Sequence, residues 1–380
     1  MRFAFLLYKY FPYGGMQRDF RRFVQECQAR GHAVRVYCID WQGEHLADVD
    51  LRLVPVRGLS NYQRNERFLD WVERDMAGDP PDGVVGFNKM PGLDVYYAAD
   101  SCYLDKALYE RGFWYRLTPR FRHFARYEEA VFAAGADTEI LLISDTERVK
   151  FERHYHTPAA RMHMLPPGIS VDRRACPDAS ARRGAKRAEL ALVDADAMLL
   201  FVGSGFIKKG LDRAITALAS VRQQGVSAAL FVVGQDRERR FRALAQRLGV
   251  EEQVHFMGGR DDVADLLLAA DALVHPALDE AAGIVLLEAL VAGLPVVVTD
   301  VCGYAHHIAA AGAGTVLSAP FRQAVLERSL LAVLQPERNQ SCRAAALAYA
   351  ESEDLYSMHH TGAALIEQFI QGKRSGAAID

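Results

Sequence analysis

Short apolar runs alternate along this chain with longer stretches whose apolar residues recur at helical spacing, and glycine loops separate the two. Residues 3–8 form an apolar run suited to a strand buried on both faces. Pro12, Gly14 and Gly15 break it. Residues 16–30 then place Phe20, Phe23, Val24 and Cys27 on one helical face, Gly31 stops the helix, and 33–37 start another strand. This is a βαβ unit, whose crossover runs right-handed in a parallel sheet. Further strands are predicted at 84–87, 95–99 and 140–144. A turn at 165–169 precedes a charge-rich stretch, 172–189, that reads as an interdomain linker and the approach to a second domain. The pattern then restarts. Strands are predicted at 198–202, 229–233, 254–256, 272–275 and 295–299, with helices at 211–223, 237–248, 262–270 and 284–292. Residues 354–369 read as a last helix and 372–380 as a frayed tail. Such alternation predicts α/β architecture with parallel sheets covered by helices, in two Rossmann-like domains facing across a cleft. Ligands bind at the carboxyl ends of strands in open sheets, so both glycine loops are expected to point into that cleft.

The 380 residues suit two domains of ordinary size, and 50% hydrophobic with 24% charged residues is the composition of a folded protein. A net charge of −3 gives no reason to expect a nucleic-acid partner. Six scattered cysteines without a C-x-x-C pair read as reduced cytosolic thiols. The apolar N-terminal run is too short for a secretory signal, and no stretch is long enough to span a bilayer. A cytoplasmic location follows as the expectation.

Glu280 and Glu288 bracket Gly283 and an apolar run. Gly283 would open a helix N-terminus to an anion such as a phosphate, with Ala282, Ile284 and Val285 beside it. Glu280 could accept from sugar hydroxyls and Glu288 from ribose hydroxyls. A helix with an N-terminal acid and a solvated later one is the plainer reading, although a charge inside an apolar run is costly unless paired. Lys208-Lys209-Gly210 places two cations at a helix start, where they oppose the dipole. The Gly14-Gly15 pair is equally a simple turn. No G-x-S-x-G elbow surrounds Ser144, and residues 13–17 are not G-x-G-x-x-G, which argues against a dinucleotide oxidoreductase.

Residues 111–127 hold five arginines, six aromatics and no acid. Arg111, Trp114, Arg116, Arg120, Arg122 and Arg126 suit an anionic membrane surface, with an amphipathic core helix and single-strand nucleic-acid stacking as the competing readings.

The 280–290 segment closely resembles the E-x7-E signature of retaining GT-B glycosyltransferases of family 4. Residues 201–210 resemble that family's basic pair before a helix, and 8–19 its first glycine loop. The likeness, including 86–94 and 301–306, extends over the whole chain. The resemblance implies an acceptor-binding domain over 1–168, with a helix at about 354–380 packing back on it, and a nucleotide-sugar domain over 169–353. It implies Lys209, with Lys208, on the diphosphate of a UDP-sugar, although the family usually has Arg at the first position. Gly14 and Gly15 would approach donor phosphates or acceptor, and Arg260 would stack on uracil unless it is an ordinary surface turn. Asp100, where many members have His, would stand opposite the donor sugar, either contacting donor or acceptor or helping with the acceptor proton. Asp19 would orient the acceptor hydroxyl, or be a helix N-terminal acid. The implied reaction moves a hexose, glucose from UDP-glucose, onto a heptose of the lipopolysaccharide inner core. It keeps configuration by a front-face route, with no metal or cofactor. Another UDP-sugar, such as an N-acetylhexosamine donor, or a non-catalytic nucleotide-sugar-binding scaffold at the membrane are the alternatives. The implied partners are the donor, the lipopolysaccharide core acceptor and the cytoplasmic face of the inner membrane.

Overall fold

A computed structural model of the chain describes residues 1–12, 14–169, 178–193 and 195–376. They divide into two compact units, one of residues 1–168 with 357–380 and the other of 169–356.

The first unit carries strands β1 (Arg2–Tyr10), β2 (Ala33–Trp41), β3 (Val49–Leu53), β4 (Gly83–Gly86), β5 (Val95–Ala98), β6 (Glu139–Leu142) and β7 (Met162–Met164). Its helices are α1 (Gly15–Ala29), α2 (Asn61–Gly78), α3 (Tyr103–Tyr109), α4 (Pro119–Phe132) and α5 (Asp145–Tyr155). The sheet order is β3-β2-β1-β4-β5-β6-β7, with every neighbouring pair parallel. Phe3 to Leu7 are all buried, as a central strand covered on both faces requires. α1 buries the stripe read from the sequence, Phe20, Phe23, Val24 and Cys27. β3 went unread because it is an edge strand whose Asp50 and Arg52 alternate with Val49 and Leu51, and no unbroken apolar run marks it.

The second unit holds α6 (Ala179–Glu189), β8 (Ala197–Val202), α7 (Leu211–Gln223), β9 (Ala228–Val233), α8 (Arg239–Arg247), β10 (Val254–Gly258), α9 (Val263–Ala269) and β11 (Ala272–His275). It continues with α10 (Ile284–Val291), β12 (Val296–Thr299), α11 (Ala305–Ala311), β13 (Gly314–Leu317), α12 (Gln323–Leu334) and α13 (Pro336–Ser352). Its parallel sheet runs β10-β9-β8-β11-β12-β13. One part of the expected linker is instead helix α6, and the rest, 172–177, lies outside the described residues. Charge holds α6 in place rather than an apolar stripe. Arg182 pairs with Asp265 at 2.6 Å, Arg183 with Asp271 at 2.6 Å and Lys186 with Asp262 at 2.8 Å.

The last helix, α14 (Met358–Ser375), belongs to the first unit and packs on α1. Its final turn does not fray at Gly372, because Lys373 pairs with Asp94 at 3.1 Å and Arg374 pairs with Asp82. The rest of the expected tail, 377–380, lies outside the described residues. Among the described residues no helix is long and apolar enough to cross a membrane.

Candidate active site

In the second unit the strand order turns back between β8 and β11. Loops leaving the carboxyl ends of adjacent strands diverge at such a point and open a crevice for ligands. The loop after β8 carries Lys209 and the loop after β11 carries Glu280. The two side chains form an ion pair, 22% and 14% exposed. Gly210, at φ 73°, ends the lysine loop, and a Cβ there would stand 2.1 Å from the carbonyl oxygen of Pro276. The two loops can approach only over glycine. The Gly303 amide donates to the Glu280 carbonyl at 3.3 Å and the Tyr304 amide to that of Ala282 at 2.8 Å. The segment bearing Glu280 is therefore fixed from the β12 side as well.

Burial pulls the Lys209 ammonium below its ordinary pKa. Beneath the pair lies His275, the last residue of β11, with no exposed surface. Its Nε2 is 3.5 Å from Glu280 Oε2. Burial first, and the Lys209 charge second, lower its pKa to about 3, so the ring is neutral at physiological pH. The sequence reading passed over His275, although a lone polar residue ending the apolar run Ala272-Leu273-Val274 was a signal.

Gly283 takes the left-handed conformation, φ 83°, and N-caps α10. No side chain caps this helix and its first turn holds no acid. The first-turn amides of Ile284 and Val285 thus present the positive end of the dipole, with Ala282 buried beside them. Lys209, Glu280 and Gly283 share this site. Glu288 is half-buried further along α10. Lys208 is exposed and paired with Asp279 at 3.2 Å. Arg260 turns its guanidinium fork to Asp262, at 2.7 and 2.5 Å, which leaves only the flat face of the group for a base.

In the first unit the order reverses between β1 and β4, and a cavity of about 520 Å³ opens there. Tyr8 and Lys9 from the end of β1, Met16 and Gln17 from α1, Asn88 and Lys89 after β4, and Asp100 and Ser101 after β5 line it. Arg64, Tyr103, Lys106 and Phe124 also line it, with Ile39, Asn61 and Asn65. Asp100, exposed, is the one carboxylate among four cations in this lining. Lys89 donates to the Ser101 carbonyl at 2.8 Å and pairs with Glu128. Glu128, fully buried, accepts from the amides of Tyr103 at 2.7 Å and Leu104 at 2.8 Å. Burial disfavours its charge, yet Lys89 and the two amides outweigh this and hold the carboxyl below its usual range. This buried hub fixes the Asp100 loop. Gly14 precedes α1, where a Cβ would overlap Gln17 Oε1 at 1.8 Å, while Gly15 has open space.

Asp19 is absent from the cavity lining. Its Oδ2 accepts from the Tyr97 hydroxyl at 2.8 Å and its Oδ1 lies 3.0 Å from Nε2 of His359 on α14. The carboxylate is buried and occupied in joining α14 to α1 and β5.

The arginine-aromatic segment has two characters. Trp114 is 77% exposed, and Phe113, Leu117 and Tyr109 stand out beside it. α4, by contrast, buries His123, Tyr127, Val131 and Phe132. Arg111 stacks over Tyr115 at 4.3 Å, Arg116 over Phe113 at 6.0 Å and Arg120 over Phe124 at 5.3 Å. Arg126 pairs with Glu66 at 3.0 Å, and Arg122 is exposed.

Among the described residues no group of three or more His, Cys, Asp or Glu converges as metal ligands would. D-x-D spacings occur at 48–50 and 194–196. Asp50 is bound by Arg35 and Arg52, at 2.7 and 2.8 Å, Asp196 accepts from the Ser227 hydroxyl at 2.6 Å, and Asp194 lies outside the described residues.

Two Rossmann-like parallel α/β units, each with polar loops at its point of strand reversal, define a glycosyltransferase of the GT-B class. The chain belongs to glycosyltransferase family 4. Residues 13–173 match the model of Glycosyltransferase Family 4 and 182–348 that of Glycosyl transferases group 1. It is similar to the lipopolysaccharide glucosyltransferase WaaG of Escherichia coli (strain K12), 47% identical over 371 residues, 97% of this chain and 99% of that protein. A crystal structure of WaaG, a glycosyltransferase involved in lipopolysaccharide biosynthesis, matches with a TM-score of 0.89 at 48% identity, covering 96% of this chain and 99% of that one. Anabaena Alr3699/HepE in complex with UDP-glucose matches at TM-score 0.71 and 18% identity, over 99% of this chain and 100% of that one, a likeness of fold.

Proposed function

We propose that this glycosyltransferase moves glucose from UDP-glucose onto a heptose of the lipopolysaccharide inner core, with retention of configuration. The observation that carries the reading is the Lys209–Glu280 pair beside the uncapped start of α10, in a chain 47% identical to a lipopolysaccharide glucosyltransferase. Lys209 and the α10 amides neutralise the departing diphosphate, with Lys208 adding charge, and so stabilise the transition state where negative charge grows. Glu280 accepts from the sugar hydroxyls and Glu288 from the ribose. The acceptor oxygen bonds to the anomeric carbon as the bond to the β-phosphate oxygen breaks. The leaving phosphate takes the acceptor proton on the same face, so no covalent intermediate forms. No metal is required, because lysine and helix carry the charge.

The cavity of the first unit holds the acceptor, with Asp100 contacting it. Lys9, Arg64 and Lys106 make this cavity suited to an anionic saccharide. The exposed Phe113, Trp114 and Leu117, with the arginines around them, seat the enzyme on the cytoplasmic face of an anionic inner membrane.

A donor panel tests the reading. Purified truncated core acceptor is incubated with UDP-glucose, UDP-galactose and UDP-N-acetylglucosamine, and the products are weighed by mass spectrometry. The expected result is one added hexose from UDP-glucose. Transfer of the N-acetylhexosamine alone would reassign the donor, and consumption of none of them would overturn the proposal.

A further inference from the structure

In the free chain Lys209 is the ion-pair partner of Glu280, whose Oε2 has no hydrogen-bond partner among the described residues. A diphosphate that claims Lys209 therefore strips Glu280 of its partner. What remains is a carboxylate only 14% exposed, and leaving a buried charge unpaired weakens whatever binding caused it. Binding here needs a replacement donor already in place.

His275 fits that need. Neither ring nitrogen of this fully buried side chain has a hydrogen-bond partner among the described residues. A neutral imidazole always carries one N–H, and an orphaned buried donor is rare enough to require a reason. Its Nε2 stands 3.5 Å from Glu280 Oε2, a few tenths of an ångström beyond hydrogen-bond length. In the free chain, with Lys209 paired to the carboxylate, that gap is open. We infer that His275 is a positioning residue that donates from Nε2 to Glu280 when a donor diphosphate takes Lys209, keeping the carboxylate aimed at the sugar.

This rests on the reading that the Lys209 site grips a nucleotide-sugar diphosphate. The ring's depressed pKa keeps it neutral, so what passes to Glu280 is a hydrogen bond and no proton. The competing account is space filling. His275 lies against Phe201, ring centroids 6.3 Å apart and 25° from parallel, and a phenyl ring would serve equally well there.

The test is calorimetric titration of the full chain with UDP. Wild type, His275→Phe, His275→Leu and His275→Gln are compared, each also in a Glu280→Gln background. Wild type is expected to bind. His275→Phe and His275→Leu should bind UDP about tenfold more weakly, the loss of one hydrogen bond to a charged group. Gln keeps an N–H donor and should stay within about threefold of wild type. Over Glu280→Gln, where no charge is stranded, the apolar variants should change little. Without UDP, His275→Phe should melt no lower than wild type, since no hydrogen bond of the free chain is lost. Equal affinity in His275→Phe, or the same weakening over Glu280→Gln, would overturn the inference. Misfolding of both apolar variants would also count against it, because the imidazole would then be bonded in the free chain. Failure of wild type to bind UDP would instead bring down the donor reading itself.

Discussion

Lys9 and Arg64 stand in the cavity of the first unit with no ion-pair partner among the described residues, whereas Lys89 is neutralised by Glu128. Such cations are poised for a ligand's negative charge. A Lys9→Gln, Arg64→Gln double variant should raise the acceptor KM roughly fivefold, as two partly exposed charge contacts are lost, and leave UDP affinity unchanged. Added salt should raise the wild-type KM more steeply than that of the variant, because screening weakens only the contacts still present. Initial-rate kinetics at two ionic strengths decides it, and an unaltered KM would refute the anionic-acceptor reading. Glu280 stood out in the sequence because its spacing from Glu288, around a glycine and an apolar run, carries a signal, and Lys209 was singled out through the family resemblance. Lys9, Arg64 and His275 were not, since their meaning comes from strands distant in the chain meeting at a sheet's point of reversal.

The elements show the same division. Central strands and their crossover helices, β8, α7 and β11 among them, were readable because each buries an unbroken run or a one-sided stripe. α6 was not, because its arginines and lysine look like a solvated tract until Asp265, Asp271 and Asp262 are brought opposite them. Residues 111–132 mix both cases, with the buried stripe of α4 following an exposed turn at Phe113–Leu117. Within residues 111–127, that turn and the outward arginines are the exposed part. Changing Arg116, Arg120 and Arg122 to Glu should cut sedimentation with anionic liposomes at least tenfold, given about 1 kcal/mol for each basic residue near such a surface. The variant should keep its far-ultraviolet circular dichroism. Undiminished sedimentation would remove the membrane proposal.

For the whole molecule, the informative feature is a chain that leaves its first unit, builds the second, and returns through α14. Asp19 secures that return. Asp19→Ala would strand the buried Tyr97 hydroxyl and His359, and should destabilise the first unit by about 2–4 kcal/mol while leaving UDP affinity intact. Scanning calorimetry with and without UDP measures both. Loss of transfer at an unchanged melting temperature would instead put Asp19 in the reaction, as the family resemblance implies. The anchor also bears on synthesis. Both sheets have left the ribosome before α14 does, yet the first unit must still wait for Met358, Gly362 and Ile370 to cover Gly168, Phe23 and Gly83. The unit begun first is thus the last to receive all of its helices. A product cut short before α14 would hold a complete second unit beside a first unit that lacks its last helix.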